Sequence, residues 1–311
     1  MRILSRTIDR LHAPRRVGAA ASVVVCAALA LTFAGHSGAQ AQQGGVTLRV
    51  ITSSPGSLNT NFTLIMGEED AVLVDVPFLR SDAYRLVADV LDSGKTLRTI
   101  VVSHGHPDHY FSLDVFKEAF PNVDVIAAPA VVQDIWQGFP NRLAFWGPQI
   151  GANAPRYPFV PTAFEPSSFE LEGHEIQLLG PMMGDAANST AVYVPSLKAV
   201  IAGDIVFNQV FVYAGDKASR AAWVATLDRL LALQPEIVVA GHTKQGLPNT
   251  RQALEYTRNY LLRFERAVVE ADNAPELMAI MRREFPDAMD FQGDFILTSS
   301  AAAAMREKLG Q

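Results

Sequence analysis

Short apolar runs alternate with amphipathic stretches along most of the chain from residue 47 onward. The short runs predict β-strands at residues 47–51, 62–66, 71–76, 99–102, 123–127, 190–194, 199–202 and 236–240. Apolar residues at helical spacing predict helices at residues 81–92, 113–120, 220–232, 250–271, 275–284 and 297–309. Gly67-Glu68-Glu69-Asp70 predicts a hairpin turn between two strands. This alternation predicts an α/β domain built of stacked layers.

The stretch from Gln137 to Pro166 departs from this pattern and is rich in proline, glycine and aromatic residues. We predict irregular backbone there, because proline and glycine interrupt regular elements. A long irregular stretch within a domain is either a functional lid or a surface excursion held by its aromatic residues. The sequence leaves both open, so Trp136, Trp146 and Tyr157 are candidates either for lining a pocket or for packing within the segment.

The N-terminus has the layout of a secretory signal peptide. Five arginines within residues 2–16 precede an uncharged run at residues 17–34, and Ala39-Gln40-Ala41 follows as a small-x-small cleavage pattern. We therefore assign residues 1–41 to a signal peptide and expect a periplasmic or secreted protein. An uncleaved anchor is the alternative, although the run is short for a bilayer span of roughly 20 residues. A membrane contact is expected only through this export signal.

Composition and charge exclude several classes of protein. The 311 residues are 49% hydrophobic and 19% charged, which is typical of a globular chain. The net charge of −6 disfavours a nucleic-acid partner held by bulk positive charge. Cleavage after Ala41 would leave 270 residues, a net charge of −10 and no cysteine, which excludes thiolate chemistry. Imidazole chemistry would then depend on five histidines: His104, His106, His109, His174 and His242.

The segment Ser103-His104-Gly105-His106-Pro107-Asp108-His109 directly follows a predicted strand. Three imidazoles and a carboxylate placed so closely are costly to bury unless something binds them. Neutral imidazole nitrogens and carboxylate oxygens are ligands for divalent metal ions. His104 and His106 are two residues apart, so an extended backbone would present both rings to one side. The segment therefore predicts a metal site.

Three further segments complete a known pattern. An upstream strand ends at Asp75, one strand is followed by Gly203-Asp204, and the last strand is followed by Gly241-His242. With His-x-His-x-Asp-His at a strand end, this order resembles the metallo-β-lactamase superfamily. The resemblance implies a four-layer αββα sandwich at residues 42–246, one or two divalent metal ions, and a C-terminal helical extension at residues 247–311. It also implies that Asp75 orients the histidine segment, although simple strand-end capping is equally open.

One position departs from the family pattern. The family usually places a Gly-His-Thr loop before the strand that leads to Gly-Asp, whereas here Asp185 stands in the place of that histidine. His174 lies in a predicted hairpin turn at residues 171–175 and is assigned to solvent. The resemblance thus implies a first site of His104, His106 and Asp185, and a second site of Asp108, His109 and His242, with Asp204 bridging.

The extra carboxylate changes the expected metal chemistry. Zinc accepts aspartate at about the same distance as imidazole. Three carboxylates facing two ions nevertheless predict a less Lewis-acidic site, with weaker zinc binding at the first site and tolerance of manganese or iron. A degenerate site with one ion or none is the alternative.

The site implies a metal-bound hydroxide that attacks an ester, thioester or lactone carbonyl of a small molecule. Asp204 makes the chain resemble glyoxalase II-like and lactonase-like hydrolases more than true β-lactamases. The alternatives are a non-hydrolytic periplasmic binding or accessory protein with an impaired site, and an iron-dependent redox variant. An apolar stripe near residues 256–268 suits a core or a homo-oligomer interface. Candidate substrate contacts follow the metal ligands closely, with surface or packing roles as the alternative: Asn208, Phe211, Tyr213 and Lys244.

Overall fold

The chain forms two main β-sheets flanked by helices. The computed structural model describes residues 42–43, 45–215, 217–290 and 293–310. The predicted signal peptide and its cleavage site lie outside the described residues. Within the described part, none of the helices is long and apolar enough to span a bilayer.

The first sheet has seven strands that lie side by side in chain order. Strands β1 to β4 pair antiparallel, and β4 to β7 pair parallel. The predicted turn joins β3 to β4, where the amide of Gly67 donates to the carbonyl of Asp70 at 2.9 Å. The strands are Gln42–Gln43, Val46–Thr52, Asn61–Met66, Asp70–Val74, Thr96–Val101, Asp124–Ala127 and Thr162–Ala163.

The second sheet has five strands in the order β13-β11-β10-β9-β8. Its strands pair antiparallel except for β11 and β13, which run parallel. Strands β12 and β14 form a separate, short parallel pair. The strands from β8 to β14 are Ser168–Leu171, His174–Met182, Ser189–Val194, Ala199–Ile201, Phe207–Asn208, Ile237–Val239 and His242–Thr243.

The helices agree with the predicted ones, with one exception. Helix α3 occupies residues where irregular backbone was predicted, so that prediction is wrong for residues 137–150. Val131, Ile135 and Phe139 are buried at four-residue spacing along one helix face, and this face outweighs the two prolines within the helix, Pro140 and Pro148. The helices α1 to α7 are Arg80–Asp92, Leu113–Ala119, Pro129–Ile150, Lys217–Ala232, Gln252–Glu270, Ala274–Glu284 and Phe295–Lys308.

Three hydrophobic clusters define four layers. One face of the first sheet packs against α1, α2 and α3. Its other face packs against the second sheet, with Ile65 and Val101 opposite Val192 and Ile201 in one cluster. The far face of the second sheet packs against α4 to α7, and we call this third cluster the outer core. The order helix, sheet, sheet, helix confirms the predicted αββα sandwich with a C-terminal helical extension.

Three aromatic residues of the segment around α3 take different positions. Trp146 packs edge-on against Phe78, with ring centroids 5.3 Å apart. Trp136 is 71% exposed on the helix surface. Tyr157, in the irregular stretch after α3, donates its hydroxyl to the carbonyl of Asp114 at 3.2 Å. Trp146 is thus a partly buried packing residue that joins the segment to the cluster between the first sheet and its helices.

Candidate metal centre

The candidate metal ligands lie where strands end, at one edge of the sandwich. Strand β5 leads into the histidine segment, β11 into Gly203-Asp204 and β13 into Gly241-His242. The loop from β9 to β10 brings Asp185 to the same edge, where its amide donates to the carbonyl of Asp204 at 3.1 Å. Because the carboxyl ends of parallel strands meet at one edge, residues far apart in sequence converge there.

The histidine segment combines an extended stretch with one tight turn. His106 has an extended backbone, and a 3-10 turn at Pro107–His109 follows it. The ring of His104 lies 4.8 Å from that of His106 and 4.2 Å from that of His109, measured between centroids. This short segment thus supplies histidines to two neighbouring groups of side chains.

The first metal cluster consists of His104, His106, Asp185 and Asp204, which offer donor atoms within 4.8 Å of one another. Nδ1 of His106 lies 3.2 Å from Oδ2 of Asp185 and 3.9 Å from Oδ2 of Asp204. Nε2 of His104 lies 3.6 Å from Oδ2 of Asp204 and 4.0 Å from Oδ1 of Asp185. Asp185 thus lies near both histidines of this cluster.

The second metal cluster consists of Asp108, His109, Asp204 and His242, again with donor atoms within 4.8 Å of one another. Nε2 of His242 lies 3.3 Å from Oδ2 of Asp108 and 3.4 Å from Oδ2 of Asp204. Nε2 of His109 lies 3.2 Å from Oδ1 of Asp204. Asp204 therefore belongs to both clusters and faces all four histidines.

The ring nitrogens that point away from the centre have partners of their own. Nδ1 of His109 donates to Oδ2 of Asp75 at 2.8 Å, and Nδ1 of His242 donates to the carbonyl of Leu58 at 2.9 Å. Nδ1 of His104 lies 2.9 Å from the hydroxyl oxygen of Ser103. Such hydrogen bonds fix ring orientation and tautomer in metal-binding histidines. Each of these rings therefore turns Nε2 toward the clusters.

The electrostatics of the centre favours positive charge. Burial opposes charge on the imidazoles, but nearby carboxylates outweigh it and raise the pKa of His106, chiefly through Asp185. The same balance, led by Asp204, raises the pKa of His109 and brings the pKa of His242 to about 10. In turn, burial is outweighed by His109 and His242, which hold the pKa of Asp204 well below its usual range. A bound cation would meet the same negative field.

Four buried atoms that could ligate a metal ion have no hydrogen-bond partner within the described residues: Nε2 of His104, Nε2 of His109, Oδ1 of Asp185 and Oδ1 of Asp204. Leaving a buried polar atom unpaired costs about 1–3 kcal/mol. All four atoms belong to the two clusters, and imidazole and carboxylate donors suit divalent ions. The residues present therefore fit divalent metal ions.

Two glycines allow the ligand-bearing turns to approach each other. A Cβ at Gly241 would overlap Oδ1 of Asp204 and lie within 2.9 Å of the backbone of Gly203. Gly203 itself has a φ of 51°, and a Cβ there would lie 2.7 Å from Oγ of Ser103. The glycine before each ligand in Gly203-Asp204 and Gly241-His242 is thus required by close packing.

The four candidate substrate residues take different positions. Phe211 is buried in the outer core with its ring 6.4 Å from that of Tyr260, which is the packing role that the sequence left open beside substrate contact. Asn208 is buried beside the second cluster, on the strand that pairs with His242–Thr243. Tyr213 is 37% exposed, and Lys244 donates to the carbonyl of Asp287 at 2.8 Å.

Sequence reasoning missed the loop between β2 and β3. Its Leu58 carbonyl accepts from His242, and its Thr60 hydroxyl donates to Oδ2 of Asp108 at 3.2 Å. Leu58 has a left-handed backbone with a φ of 66°. No motif marks this loop, so no sequence signal pointed to it. His174, by contrast, opens β9 after the predicted hairpin turn and belongs to neither cluster.

The fold and the two clusters define an αββα protein with a centre suited to divalent metal ions. A model of the metallo-β-lactamase superfamily matches residues 55–242, more than half of the chain. The chain therefore belongs to the metallo-β-lactamase superfamily. No curated protein sequence matches it.

Solved structures of similar fold include three proteins at low identity. A metallo-β-lactamase family protein from Thermus thermophilus is 22% identical with a TM-score of 0.62, covering 86% of this chain and 95% of that one. A metallo-β-lactamase from Pontibacter korlensis is 17% identical with a TM-score of 0.51, covering 72% and 98%. The DIM-1 metallo-β-lactamase is 17% identical with a TM-score of 0.51, covering 72% and 95%. At these identities, the likeness shows the fold alone.

Proposed function

We propose that the protein is an exported metal-dependent hydrolase that acts on an ester, thioester or lactone carbonyl. The observation that carries the proposal is the pair of clusters joined by Asp204, with unpaired imidazole and carboxylate atoms turned into them. Export rests on the N-terminal pattern of arginines, apolar run and Ala39-Gln40-Ala41. Recovery of a processed chain from a periplasmic or culture fraction would test that part.

The residues of the chain have defined tasks in this proposal. His104, His106 and Asp185 would hold one ion, and Asp108, His109 and His242 the other, with Asp204 contributing to both. Divalent ions bound there would lower the pKa of a water molecule and polarise a carbonyl group. Asp75 and the Leu58 carbonyl keep the imidazoles of His109 and His242 in one orientation, which reduces the reorganisation needed for binding.

The cations near the clusters support a carbonyl substrate over a phosphate. Lys244 follows His242, but its ammonium donates to the Asp287 carbonyl at 2.8 Å. Arg142 lies against Gly105 of the histidine segment, yet its guanidinium is paired with Asp134 at 2.8 Å. Such groups strengthen phosphate binding as charge-assisted donors, and each of the two already has a partner within the chain, so neither is placed as a dedicated phosphate ligand.

An iron-dependent redox protein is the second candidate, favoured by the carboxylates that both metal clusters contain. Each cluster offers two imidazoles and two carboxylates. Two histidines and a carboxylate with open positions form a known iron-binding arrangement. Replacement of a histidine by Asp185 moves the donor set toward ions harder than zinc.

Metal analysis combined with a substrate panel tests the proposal. We expect protein purified without chelator, and then reconstituted, to bind up to two divalent ions and to hydrolyse members of an ester, thioester and lactone panel. Activity should disappear with chelator and return with zinc or manganese. Metal binding without hydrolysis, but with oxidation of a thiol or persulfide by dioxygen in the presence of the iron form, would favour the redox candidate. If the protein neither bound metal nor showed activity, the remaining candidate would be a non-hydrolytic binding protein.

Replacing Asp185 by histidine should increase zinc affinity at the first metal cluster by about tenfold, or roughly 1.4 kcal/mol. Imidazole is a softer donor than carboxylate, so zinc should gain and manganese should lose affinity. Competition with a chelator measures both. His174→Asn is the matched control, because His174 lies outside both clusters. Unchanged zinc affinity in Asp185→His would contradict the assignment of Asp185 as a ligand of the first site.

A further inference from the structure

Ser103 lies between the buried carboxylate of Asp75 and the first histidine of the metal-binding segment. We propose that Ser103 is a positioning residue whose hydroxyl fixes the tautomer of His104 and links the first metal cluster to Asp75, which already orients His109 of the second. The inference rests on the proposed metal-binding function. It gives one carboxylate a role in both clusters.

Asp75 uses both of its oxygens toward this segment. Its Oδ1 accepts the backbone N–H of Ser103 at 2.7 Å, and its Oδ2 accepts the Ser103 hydroxyl at 2.7 Å. The same Oδ2 accepts Nδ1–H of His109 at 2.8 Å. Asp75 and Ser103 are each only 1% exposed. Water is thus largely excluded from these hydrogen bonds, so the protein groups themselves must supply both the donor and the acceptor of each one.

The proton count fixes the direction of the remaining bond. A serine hydroxyl has one proton, and a carboxylate has none to give. The hydroxyl proton of Ser103 is therefore donated to Asp75. The contact of 2.9 Å between Oγ of Ser103 and Nδ1 of His104 must then be one in which the imidazole N–H donates. His104 is held with Nδ1 protonated and with the lone pair of Nε2 facing the first metal cluster.

The position of the Ser103 side chain is restricted on its other sides. Gly203 packs so closely that a Cβ there would lie 2.7 Å from Oγ of Ser103. The carbonyl of Ser103 accepts the amide of Thr190, the second residue of β10, at 2.9 Å. Ser103 therefore connects the end of the first sheet to β10 of the second, beside Gly203. A hydroxyl fixed in this way has little freedom to turn away from His104.

The arrangement predicts a selective effect of removing one hydroxyl. Without Oγ of Ser103, Nδ1–H of His104 loses its acceptor, whereas Nδ1–H of His109 keeps Asp75. Loss of an outer-shell partner typically weakens metal affinity by about 10- to 100-fold. Ser103→Ala should therefore weaken the first site by this factor and leave the second site unchanged. Ser103→Thr, which keeps a hydroxyl, should restore the affinity of the first site.

The experiment compares zinc affinities and histidine tautomers in the full chain. Chelator competition gives the two zinc affinities, and ¹⁵N NMR of labelled histidines reports the tautomer of each ring and identifies the cluster that is perturbed. We expect zinc-loaded wild type to show His104 as the Nδ1–H tautomer, and Ser103→Ala to lose or broaden that signal while the signals of His109 and His242 persist. Neither readout depends on turnover.

Ser300→Ala is the matched control. Ser300 is also fully buried, and its hydroxyl accepts the amide of Ala214 at 3.0 Å and donates to the carbonyl of Val212 at 3.2 Å, away from both clusters. The Ser300→Ala variant should lower the free energy of unfolding without changing the zinc affinity of either site. Unchanged affinities in Ser103→Ala, or equal losses at both sites, overturn the proposal for Ser103 alone. A wild-type chain that binds no divalent ion overturns the proposed function as well.

Discussion

Replacing Asp204 by asparagine should abolish binding of at least one metal ion and reduce hydrolysis by more than the roughly 10- to 100-fold expected for an outer-shell partner. Asp204 is 3% exposed, and its carboxylate lies within 3.9 Å of a ring nitrogen in all four histidines. The amide keeps the shape but removes the negative charge that both clusters use. Elemental analysis measures the metal content, and kcat/KM on a substrate identified with the ester, thioester and lactone panel measures the activity.

Asp134→Asn provides the matched control for this substitution. The carboxylate of Asp134 lies against Gly105 of the histidine segment but belongs to neither cluster. The Asp134→Asn variant should keep the full metal content and most of the activity. If Asp204→Asn retained two ions, the bridging role assigned to Asp204 would be wrong. If both variants lost metal equally, the effect would come from disturbance of the segment rather than from the bridging charge.

Replacing Asp114 by alanine should lower the free energy of unfolding by about 3–5 kcal/mol, the loss typical of breaking one side of a buried ion pair. Asp114 is fully buried and pairs with Arg80, which is 4% exposed. It also accepts the amide of Arg156 at 2.9 Å. After truncation, Arg80 would retain Tyr84 at 2.8 Å and only a weak contact of 3.9 Å to the carboxylate of Glu118.

Urea denaturation of the metal-free protein measures this loss without a contribution from ligand binding. Asp228→Ala is the control, since Asp228 pairs with Arg258 at 2.6 Å where both side chains are exposed. Exposed pairs contribute about 0–1 kcal/mol, so this variant should unfold almost like wild type. A similar loss in the two variants would show that burial does not set the contribution of the Arg80–Asp114 pair.

The alternation of strands and helices and the metal-site character of the histidine segment could be predicted because local patterns determine them. The four-layer order and the roles of Asp204 and His242 followed instead from the resemblance to the metallo-β-lactamase superfamily. Short apolar runs specified most strands, and the clustering of imidazoles in the histidine segment by itself indicated a metal site. Asp185 could be located only by alignment to the strand that follows it. Its proximity to His106 depends on how the β9–β10 loop folds back against Asp204, which no periodicity encodes.

The missed features have tertiary causes. Helix α3 contains Pro140 and Pro148, and local propensity alone disfavours a helix there. Burial of Ile135 and Phe139 against the first sheet outweighs that cost. Leu58 and Thr60 act on residues about 50 to 180 positions away, through a loop that has no motif. Partners of this kind become visible only when the sheets are assembled.

The outer core also determines where the chain tolerates truncation or fusion. The family match ends at residue 242, yet Tyr260 and Phe264 of α5 and Leu297 of α7 are fully buried together with Trp223 of α4. Removing residues 247–311 as a detachable module would expose this apolar surface and invite aggregation. Fusion partners and affinity tags are therefore better attached after α7 than at the end of the family match.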